Sequence, residues 1–210
     1  EFDEIWFYDQ MKNKYPILQD SDLPGMVTDR LTRKGINTKP AYCSHEGKES
    51  IVFVSNRVGY SNIYEMPYDA RQADEDLRVI VQGERTTEFE SFSLLKSKID
   101  ANARGELIMV AKSEGKDAIY KVDVGTGDVL ERLQFESLVS LYSPSWAPDD
   151  QQIVFTGIDF SGKSDLYLYD FNAASLQKLT NDFYDDRDPV FSPNGRYIAF
   201  SSDRTPSGDE

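Results

Sequence analysis

The densest group of side chains that could do chemistry lies in residues 181–188, which read Asn-Asp-Phe-Tyr-Asp-Asp-Arg-Asp. Four carboxylates and an amide within eight residues could supply the oxygen ligands that Ca²⁺ prefers. The candidate calcium ligands are Asp182, Asp185, Asp186 and Asp188. Their spacing differs from an Asp-x-Asp-x-Asp-Gly loop, and the alternative is a solvated acidic loop in which Asp188 caps backbone N–H groups. We therefore predict no cofactor, with calcium as the one candidate ion.

Other reactive residues are scarce. His45 is the only histidine and Cys43 the only cysteine, whereas a zinc site needs three or four ligands. A Ser-His-Asp triad would have to use His45, and the chain has no Gly-x-Ser-x-Gly elbow. Residues 125–127, Gly-Thr-Gly, suit a hairpin turn better than a phosphate loop, and His45 falls in another predicted turn. We predict that this chain is not itself an enzyme.

Composition narrows the range of partners. The chain has 37 acidic and 23 basic residues and a net charge of −14. Binding to a nucleic-acid backbone or an anionic membrane surface needs clustered Lys and Arg, so both are disfavoured. No apolar run approaches the ~20 residues of a membrane span. We expect no nucleic-acid partner and no direct membrane insertion, and the 39% hydrophobic content is sufficient for a packed core.

The acidic segment belongs to a sequence repeat. Several apolar residues and prolines between residues 143 and 204 recur 45 residues later: Pro144, Trp146 and 153–155 (Ile-Val-Phe) return as Pro189, Phe191 and 198–200 (Ile-Ala-Phe). A period near 45 residues made of short strands is typical of stacked β units, none of which can bury its apolar face alone.

Each repeat reads as four strands. In the clearest unit, 144–146 is a short inner strand with Pro at its first residue, where a missing N–H does least harm. Residues 153–155 form a second apolar strand, 165–170 alternate Leu and Tyr as a third, and 177–180 are a fourth. Four strands per period is the pattern of a propeller blade.

The motif within the repeat resembles a known family. Residues 188–195 (Asp-Pro-Val-Phe-Ser-Pro-Asn-Gly), followed by Ser-Asp-Arg at 202–204, resemble the WD-like repeat of TolB-type β-propellers, which also occurs in tricorn-type proteins. The preceding unit departs slightly, with Ser143 in place of Asp, Ala147 in place of Ser and Asp150 in place of Gly. The resemblance implies an all-β propeller of four-stranded antiparallel blades.

The repeat divides the chain into about four blades within a single domain. The predicted boundaries are 1–32 for a half blade plus loop, 33–85 for a blade, 86–136 for a degenerate blade, 137–182 for a blade, 183–204 for a half blade and 205–210 for a polar tail. By resemblance the chain is part of a six-bladed propeller. In the alternative, the two half blades join and close a four-bladed ring.

Two segments have weaker patterns. In the first half blade, 4–9 suits a third strand and 15–18 a fourth, while the polar stretch 19–30 is predicted to be an inter-blade loop. In the degenerate blade, 89–94 is the expected inner strand and 96–104 the expected turn.

Propeller connectivity places certain loops on one face. Connections from a fourth strand to the next blade, and from a second strand to a third, gather there. We call this the loop-rich face, formed by 57–62, 157–164, 181–188 and 203–204. Loops held by a rigid scaffold commonly bind ligands. The candidate binding residues on it are Arg57, Asp159, Asp182, Asp185, Asp186, Asp188, Asp203 and Arg204.

The aromatic residues recurring in strands are expected to pack between blades: Trp6, Tyr64, Tyr120, Trp146 and Tyr167.

The expected function is recognition of a protein or peptide across the loop-rich face. By resemblance such propellers are bacterial and periplasmic, envelope-associated or secreted, with a cytoplasmic location left open. The alternative is a substrate-gating propeller of a larger peptidase whose catalytic domain lies outside this chain. A sugar-active propeller is disfavoured, because lyase-type sites rely on several histidines.

Overall fold

The computed structural model describes residues 6–8, 28–30, 32, 34–45, 47–68, 77–83, 91–92 and 97–204. Every regular element in these residues is a β-strand, and neighbouring strands in each sheet run antiparallel. The predicted all-β class is confirmed. No helix among the described residues has the length and apolarity that crossing a bilayer requires.

The first sheet is a pair of short strands, β1 (Trp6–Tyr8) and β2 (Thr28–Arg30). β1 falls within the predicted third strand at 4–9, and the fourth strand predicted at 15–18 lies outside the described residues. β2 lies in the stretch predicted to be an inter-blade loop, so that prediction is wrong at its end. A strand of three residues is too short to show the alternation by which a sequence reveals it.

Blade 1 is a four-stranded sheet whose strands lie side by side in the order in which they occur along the chain. It contains β3 (Asn37–His45), β4 (Lys48–Ser55), β5 (Asn62–Pro67) and β6 (Arg78–Val81). Its central strands carry apolar runs, because a propeller blade is covered on both faces and alternation with polar residues is lost.

Blade 2 has a divided inner strand. Both β7 (Ser91–Phe92) and β8 (Asp100–Ala101) pair with β9 (Glu106–Ser113), and β10 (Lys116–Asp123) and β11 (Val129–Leu133) complete the sheet. β8 lies inside the segment predicted to be a turn, so that prediction is wrong. The turn is tighter: the Asn102 carbonyl accepts the Gly105 N–H at 3.3 Å.

Blade 3 is again a four-stranded sheet, and a two-stranded half blade follows it. Blade 3 contains β12 (Leu138–Trp146), β13 (Gln152–Asp159), β14 (Ser164–Asp170) and β15 (Ser175–Lys178). The half blade contains β16 (Asp186–Phe191) and β17 (Ile198–Ser202). Phe200 in β17 is 41% exposed, whereas its counterpart Phe155 in blade 3 is fully buried. One face of the half blade is therefore uncovered by the described elements.

Three inner strands share a bulge beside a proline. Pro40, Pro144 and Pro189 lie inside β3, β12 and β16, so the prediction that Pro begins the strand is wrong. In each case the register shifts at this point. The preceding residues have positive φ: Lys39 (54°), Ser143 (50°) and Asp188 (53°). A bulge leaves a residue out of the ladder, so the missing Pro N–H breaks no strand pairing.

The bulges also join the inner strands of neighbouring sheets. The Ser143 N–H donates to Ser97 Oγ of blade 2 at 3.0 Å, and Ser143 Oγ donates to Asp188 Oδ1 of the half blade at 2.5 Å. The Asp188 N–H in turn donates to Thr156 Oγ1 of blade 3 at 3.1 Å. The backbone polar groups that the bulges remove from the ladders thus find partners across blade boundaries.

Asp100 makes a second link of this kind. Its Oδ2 accepts the Trp146 N–H at 2.9 Å and the Ser145 hydroxyl at 3.1 Å. Burial raises the pKa of the Asp100 carboxyl above its ordinary value, although these hydrogen bonds act in the opposite direction. Nearby, Lys98 Nζ donates to the Pro189 carbonyl at 2.8 Å and ties blade 2 to the half blade.

The core is divided between successive blades by strand alternation. In β9, Leu107, Met109 and Ala111 pack with blade 1, while Ile108 and Val110 pack with blade 3, and all five are fully buried. A strand of period two presents alternate side chains to opposite faces, so one strand serves two interfaces.

Three of the recurring aromatic residues, Tyr120, Trp146 and Tyr167, pack between blades as predicted, whereas Tyr64 packs in a separate cluster within blade 1. Tyr64, Tyr120, Trp146 and Tyr167 are all less than 7% exposed, and the Trp6 side chain lies outside the described part of the chain. Phe155 stacks between Phe135 and Tyr167, with ring centroids 5.4 Å and 5.9 Å apart.

We expect Phe155→Ala to lower the free energy of unfolding by about 3–5 kcal/mol, because it removes a fully buried ring and leaves a cavity. Phe183→Ala is the control, since that ring is 94% exposed and its removal should change stability by less than about 0.5 kcal/mol. Urea unfolding of both variants checks this. Equal losses would contradict the assignment of Phe155 to the core.

We also expect Asp100→Asn to reveal a pH-dependent contribution. The folded-state pKa of Asp100 is raised, so the protonated carboxyl adds to the free energy of unfolding. This contribution is fully present below the unfolded pKa of about 3.9 and is lost as pH rises through the folded pKa. The free energy of unfolding of the unmodified protein, minus that of the variant, should therefore fall as pH rises above about 3.9. A difference that rises with pH would overturn this.

Candidate functional site

Three of the four loop groups predicted to form the loop-rich face meet in the structure. Ser164 Oγ, at the start of β14, donates to the Asp186 carbonyl at 3.1 Å. Lys163 Nζ lies 4.8 Å from the centroid of the Phe183 ring. Arg204, which follows β17, forms an ion pair with Asp182. The segments 157–164, 181–188 and 203–204 thus form one continuous surface.

Arg204 is the centre of this surface. Its Nη1 lies 2.5 Å from Asp186 Oδ1 and its Nη2 lies 3.0 Å from Asp186 Oδ2, a two-pronged contact with a carboxylate that is fully buried. A second carboxylate, Asp182, pairs with the same guanidinium. Hydrogen bonds to Asp186 and then Asp182 are the main causes that raise the pKa of Arg204. The planar fork of Arg suits this geometry.

Each of the four carboxylates predicted to be calcium ligands has another partner in the structure. Asp182 and Asp186 pair with Arg204, and Asp185 Oδ2 lies 2.6 Å from Arg187 Nη2. Asp188 accepts the hydroxyl of Ser143, as described above. No group of three or more His, Cys, Asp or Glu side chains that could hold a metal ion is found in the described ranges. The carboxylates of the segment accept from guanidinium, hydroxyl and backbone donors, and the calcium site stays a prediction.

Asp203 adds to the organisation of the same loop. Its Oδ1 accepts the Asp185 N–H at 2.8 Å. The Tyr184 N–H donates to Asp182 Oδ1 at 3.0 Å, and this bond, followed by Arg204, lowers the pKa of Asp182. The backbone of 181–188 is thus held by its own aspartates and by residues after β17.

Blade 1 repeats the arginine arrangement with a neutral partner. Arg57 Nη2 donates to Asn37 Oδ1 at 3.0 Å and its Nε to Ser55 Oγ at 3.2 Å, while its guanidinium lies 4.9 Å from the Tyr64 ring centroid. Asn37 precedes Pro40 by the same three residues by which Asp186 precedes Pro189. Arg57 and Arg204 are therefore equivalent residues of the repeat.

Asp159 occupies the position of these arginines in blade 3. Its Oδ1 accepts the Ser161 N–H at 2.8 Å, and the Ser161 hydroxyl is the largest cause of its lowered pKa. The cation comes instead from Lys178, whose Nζ lies 2.7 Å from Oδ2 of the fully buried Asp165 and 3.7 Å from Asp159 Oδ2. Blade 3 therefore uses β15, and not β13, to supply the positive charge.

Sequence reasoning missed two exposed aromatic side chains on this face. Phe160 is 77% exposed and Phe183 is 94% exposed, on loops joined by the Lys163 contact. The signal available in the sequence was an aromatic residue inside a predicted loop, where no core is present to receive it. Exposed aromatic rings beside fixed charges are typical of protein-binding surfaces.

A small cavity of about 310 Å³ adjoins the aspartate loop, between blade 3 and the half blade. Tyr142, Thr156 and Ser164 contribute hydroxyls to its wall, and Arg187 and Asp188 contribute charges. A cavity of this size, with donors and acceptors on one wall, can receive a single side chain of a partner.

His45 lies away from this face. It is the last residue of β3, and its ring packs against blade 2, where a Cβ at Gly105 would lie 2.7 Å from His45 Cβ and Cγ. Gly105 also has a φ of +77°, so glycine is needed there for two reasons. The single histidine therefore has a packing role at a blade interface.

We expect Arg204→Ala to lower the midpoint of thermal unfolding, because Asp186 would stay buried without its cation. Arg204→Lys keeps the charge but loses the two-pronged contact, so its midpoint should lie between those of Arg204→Ala and the unmodified protein. Arg187→Ala is the matched control: its pair with Asp185 is exposed and is worth at most about 1 kcal/mol. Equal midpoints for the two alanine variants would contradict a structural role for Arg204.

The sequence is similar to known proteins, although no family model matches it. It is 29% identical over 154 residues to the protein TolB homolog of Chlorobium chlorochromatii, covering 73% of this chain and 31% of that protein. It is 29% identical over 186 residues to the Tol-Pal system protein TolB of Francisella tularensis subsp. mediasiatica, covering 86% and 39%. The chain therefore spans about a third of the length of these curated relatives.

A solved structure shares the architecture. The crystal structure of TolB from Acinetobacter baumannii superposes with a TM-score of 0.60 and 23% identity, over 83% of this chain and 39% of that one. At this identity the likeness concerns the fold. Taken with the sequence similarity, it confirms the resemblance predicted from the repeat: the chain is a TolB-like β-propeller.

Proposed function

We propose that this chain is a non-catalytic propeller module that binds a protein partner through its loop-rich face in the bacterial envelope. The observation that carries the proposal is the combination of two highly exposed phenylalanines with a loop that ion pairs hold in place. Each feature contributes a different part of the binding free energy.

The ion pairs make the surface rigid before binding. Arg204 holds Asp182 and Asp186, and Asp203 holds the backbone of Asp185. A loop already held in one conformation loses little conformational entropy when a partner docks, so more of the contact energy appears as affinity. The ion pairs of Arg204 with Asp182 and Asp186 thus favour binding by holding the loop.

The exposed aromatic rings supply the contact energy. Phe160 and Phe183 leave apolar surface in water, which is unfavourable unless a partner covers it. The adjoining cavity beside Arg187 offers a place for one anchoring side chain. Aromatic contacts around a pocket are the usual composition of binding hot spots.

The name of one relative supports the envelope setting. The similar Francisella protein is described as a Tol-Pal system protein, and this chain covers 39% of it. We propose that the partner of this chain is another protein of such a system and that binding takes place in the periplasm. The alternative of a gating propeller beside a peptidase domain stays a prediction, because its catalytic residues would lie outside this chain.

The proposal is tested by biolayer interferometry. The experiment measures whether the purified chain binds the Tol-Pal proteins of the organism from which the chain comes. The double variant Phe160→Ala and Phe183→Ala should weaken binding at least about tenfold, since both rings lie at the centre of the proposed contact. Tyr197→Ala is the matched control, a ring that is 72% exposed in the β16–β17 hairpin at the opposite end of the sheet.

The expected result is a strong loss for the double variant and unchanged binding for Tyr197→Ala. Absence of binding to every one of these proteins would overturn the proposed partner. Equal losses in both variants would overturn the assignment of the contact to the loop-rich face.

A further inference from the structure

A second, larger cavity of about 740 Å³ lies in blade 1, at the end away from the loop-rich face. The β3–β4 hairpin and the end of β5 form its walls. We propose that this blade 1 cavity binds a neutral oligosaccharide. The proposal is independent of the function proposed for the opposite face.

Among the described residues that line the cavity, acidic and basic side chains are equal in number. Glu49 and Glu65 are acidic, and Lys48 and Arg78 are basic, in a chain whose net charge is −14. Local neutrality in so acidic a protein disfavours a strongly charged ligand of either sign. The ligand best suited to this wall is therefore polar and uncharged.

Arg78 is a fixed part of the wall. Its Nε donates to Glu65 Oε2 at 3.0 Å, and its Nη1 and Nη2 donate to the carbonyls of Gly125 and Val124 in blade 2 at 3.0 Å and 2.5 Å. The guanidinium is thus engaged on several sides, and its charge is offset by Glu65. Lys48 offers a donor to a ligand, and Glu49 offers its second carboxylate oxygen, because its Oε1 accepts the Tyr42 hydroxyl.

A buried hydroxyl at the cavity lacks a partner. Ser50 is 4% exposed and lines the cavity, yet its Oγ makes no contact of hydrogen-bond geometry with any described group. Burial raises the pKa of the neighbouring Cys43 thiol and the nearby Ser50 hydroxyl lowers it, but the two groups do not meet hydrogen-bond geometry. Buried polar atoms are normally satisfied. A hydroxyl of a bound ligand would supply the missing partner.

Two tyrosines complete the cavity and its rim. The rings of Tyr42 and Tyr68 meet edge to face, with centroids 5.7 Å apart, and the Tyr42 hydroxyl donates to Glu49 Oε1 at 2.5 Å. Tyr42 is 49% exposed, so part of its ring is open to solvent. The C–H face of a sugar ring packs against an aromatic ring of this kind, while sugar hydroxyls reach the surrounding polar groups.

Together these groups select a saccharide over other polar ligands. A sugar hydroxyl donates and accepts at once, so neighbouring hydroxyls can meet Glu49, Lys48 and Ser50 together. The Glu65–Arg78 pair is already closed, so it offers no free charge to an ionic ligand. The volume of the cavity lies within the usual range for small-molecule sites.

The test is titration of the ¹⁵N-labelled chain with three probes: maltotriose, cellotriose and the N-acetylglucosamine trimer, with diglycine as the zwitterionic comparison. We expect at least one trisaccharide to shift the amide signals of Ser50 and Tyr68 with a millimolar Kd. Glu49→Gln and Tyr68→Ala should each weaken that binding at least about fivefold. Phe183→Ala, on the opposite face, should leave it unchanged.

Two outcomes would overturn the inference. One is that no trisaccharide shifts these signals at concentrations up to about 10 mM, or that diglycine shifts them more strongly than any trisaccharide does. The other is that Glu49→Gln and Tyr68→Ala bind as the unmodified protein does. Because Glu49 lies away from the loop-rich face, the Glu49→Gln variant should bind the protein partner normally. A failure of the saccharide proposal can therefore be told apart from a failure of the proposed protein-binding function.

Discussion

The structure depends on a constraint at its inner strands. A residue with positive φ precedes a proline in β3, β12 and β16 and shifts the register of each strand. Left-handed backbone is costly for residues other than glycine, so it persists only where the surroundings compensate. At Ser143 and Asp188 the compensation is visible, because the groups removed from one ladder bond to the neighbouring sheet.

This constraint explains the form of the loop-rich face. Because the bulge sets how each inner strand leaves its blade, Asp186 is buried at the start of β16, and Arg204 must follow it to balance its charge. Blade 1 places an amide, Asn37, at the same point and needs no charge balance. In blade 3 the buried acid is Asp165, and Lys178 supplies the cation. The same electrostatic requirement is met from different strands.

The two ends of the propeller differ because their loops differ in what they bury. At the loop-rich face, the carboxylates are satisfied by arginines and by backbone N–H groups, which leaves aromatic rings as the exposed contact surface. At the other end of blade 1, a neutral set of polar groups surrounds an open volume that includes an unsatisfied hydroxyl. The first arrangement suits a macromolecular partner, and the second suits a small polar ligand.

The sequence by itself determined the class of the fold, because the 45-residue repeat and the apolar strands at 153–155 and 198–200 depend only on local pattern. It also predicted that the loops 157–164, 181–188 and 203–204 meet on one face. It could not determine the divided inner strand of blade 2, since β8 has two residues and its pairing with β9 is a long-range contact. Nor could it decide that Asp182 and Asp186 both pair with Arg204. Partner choice for a carboxylate depends on which side chains the folded sheets bring within hydrogen-bonding distance, and only the tertiary structure decides that.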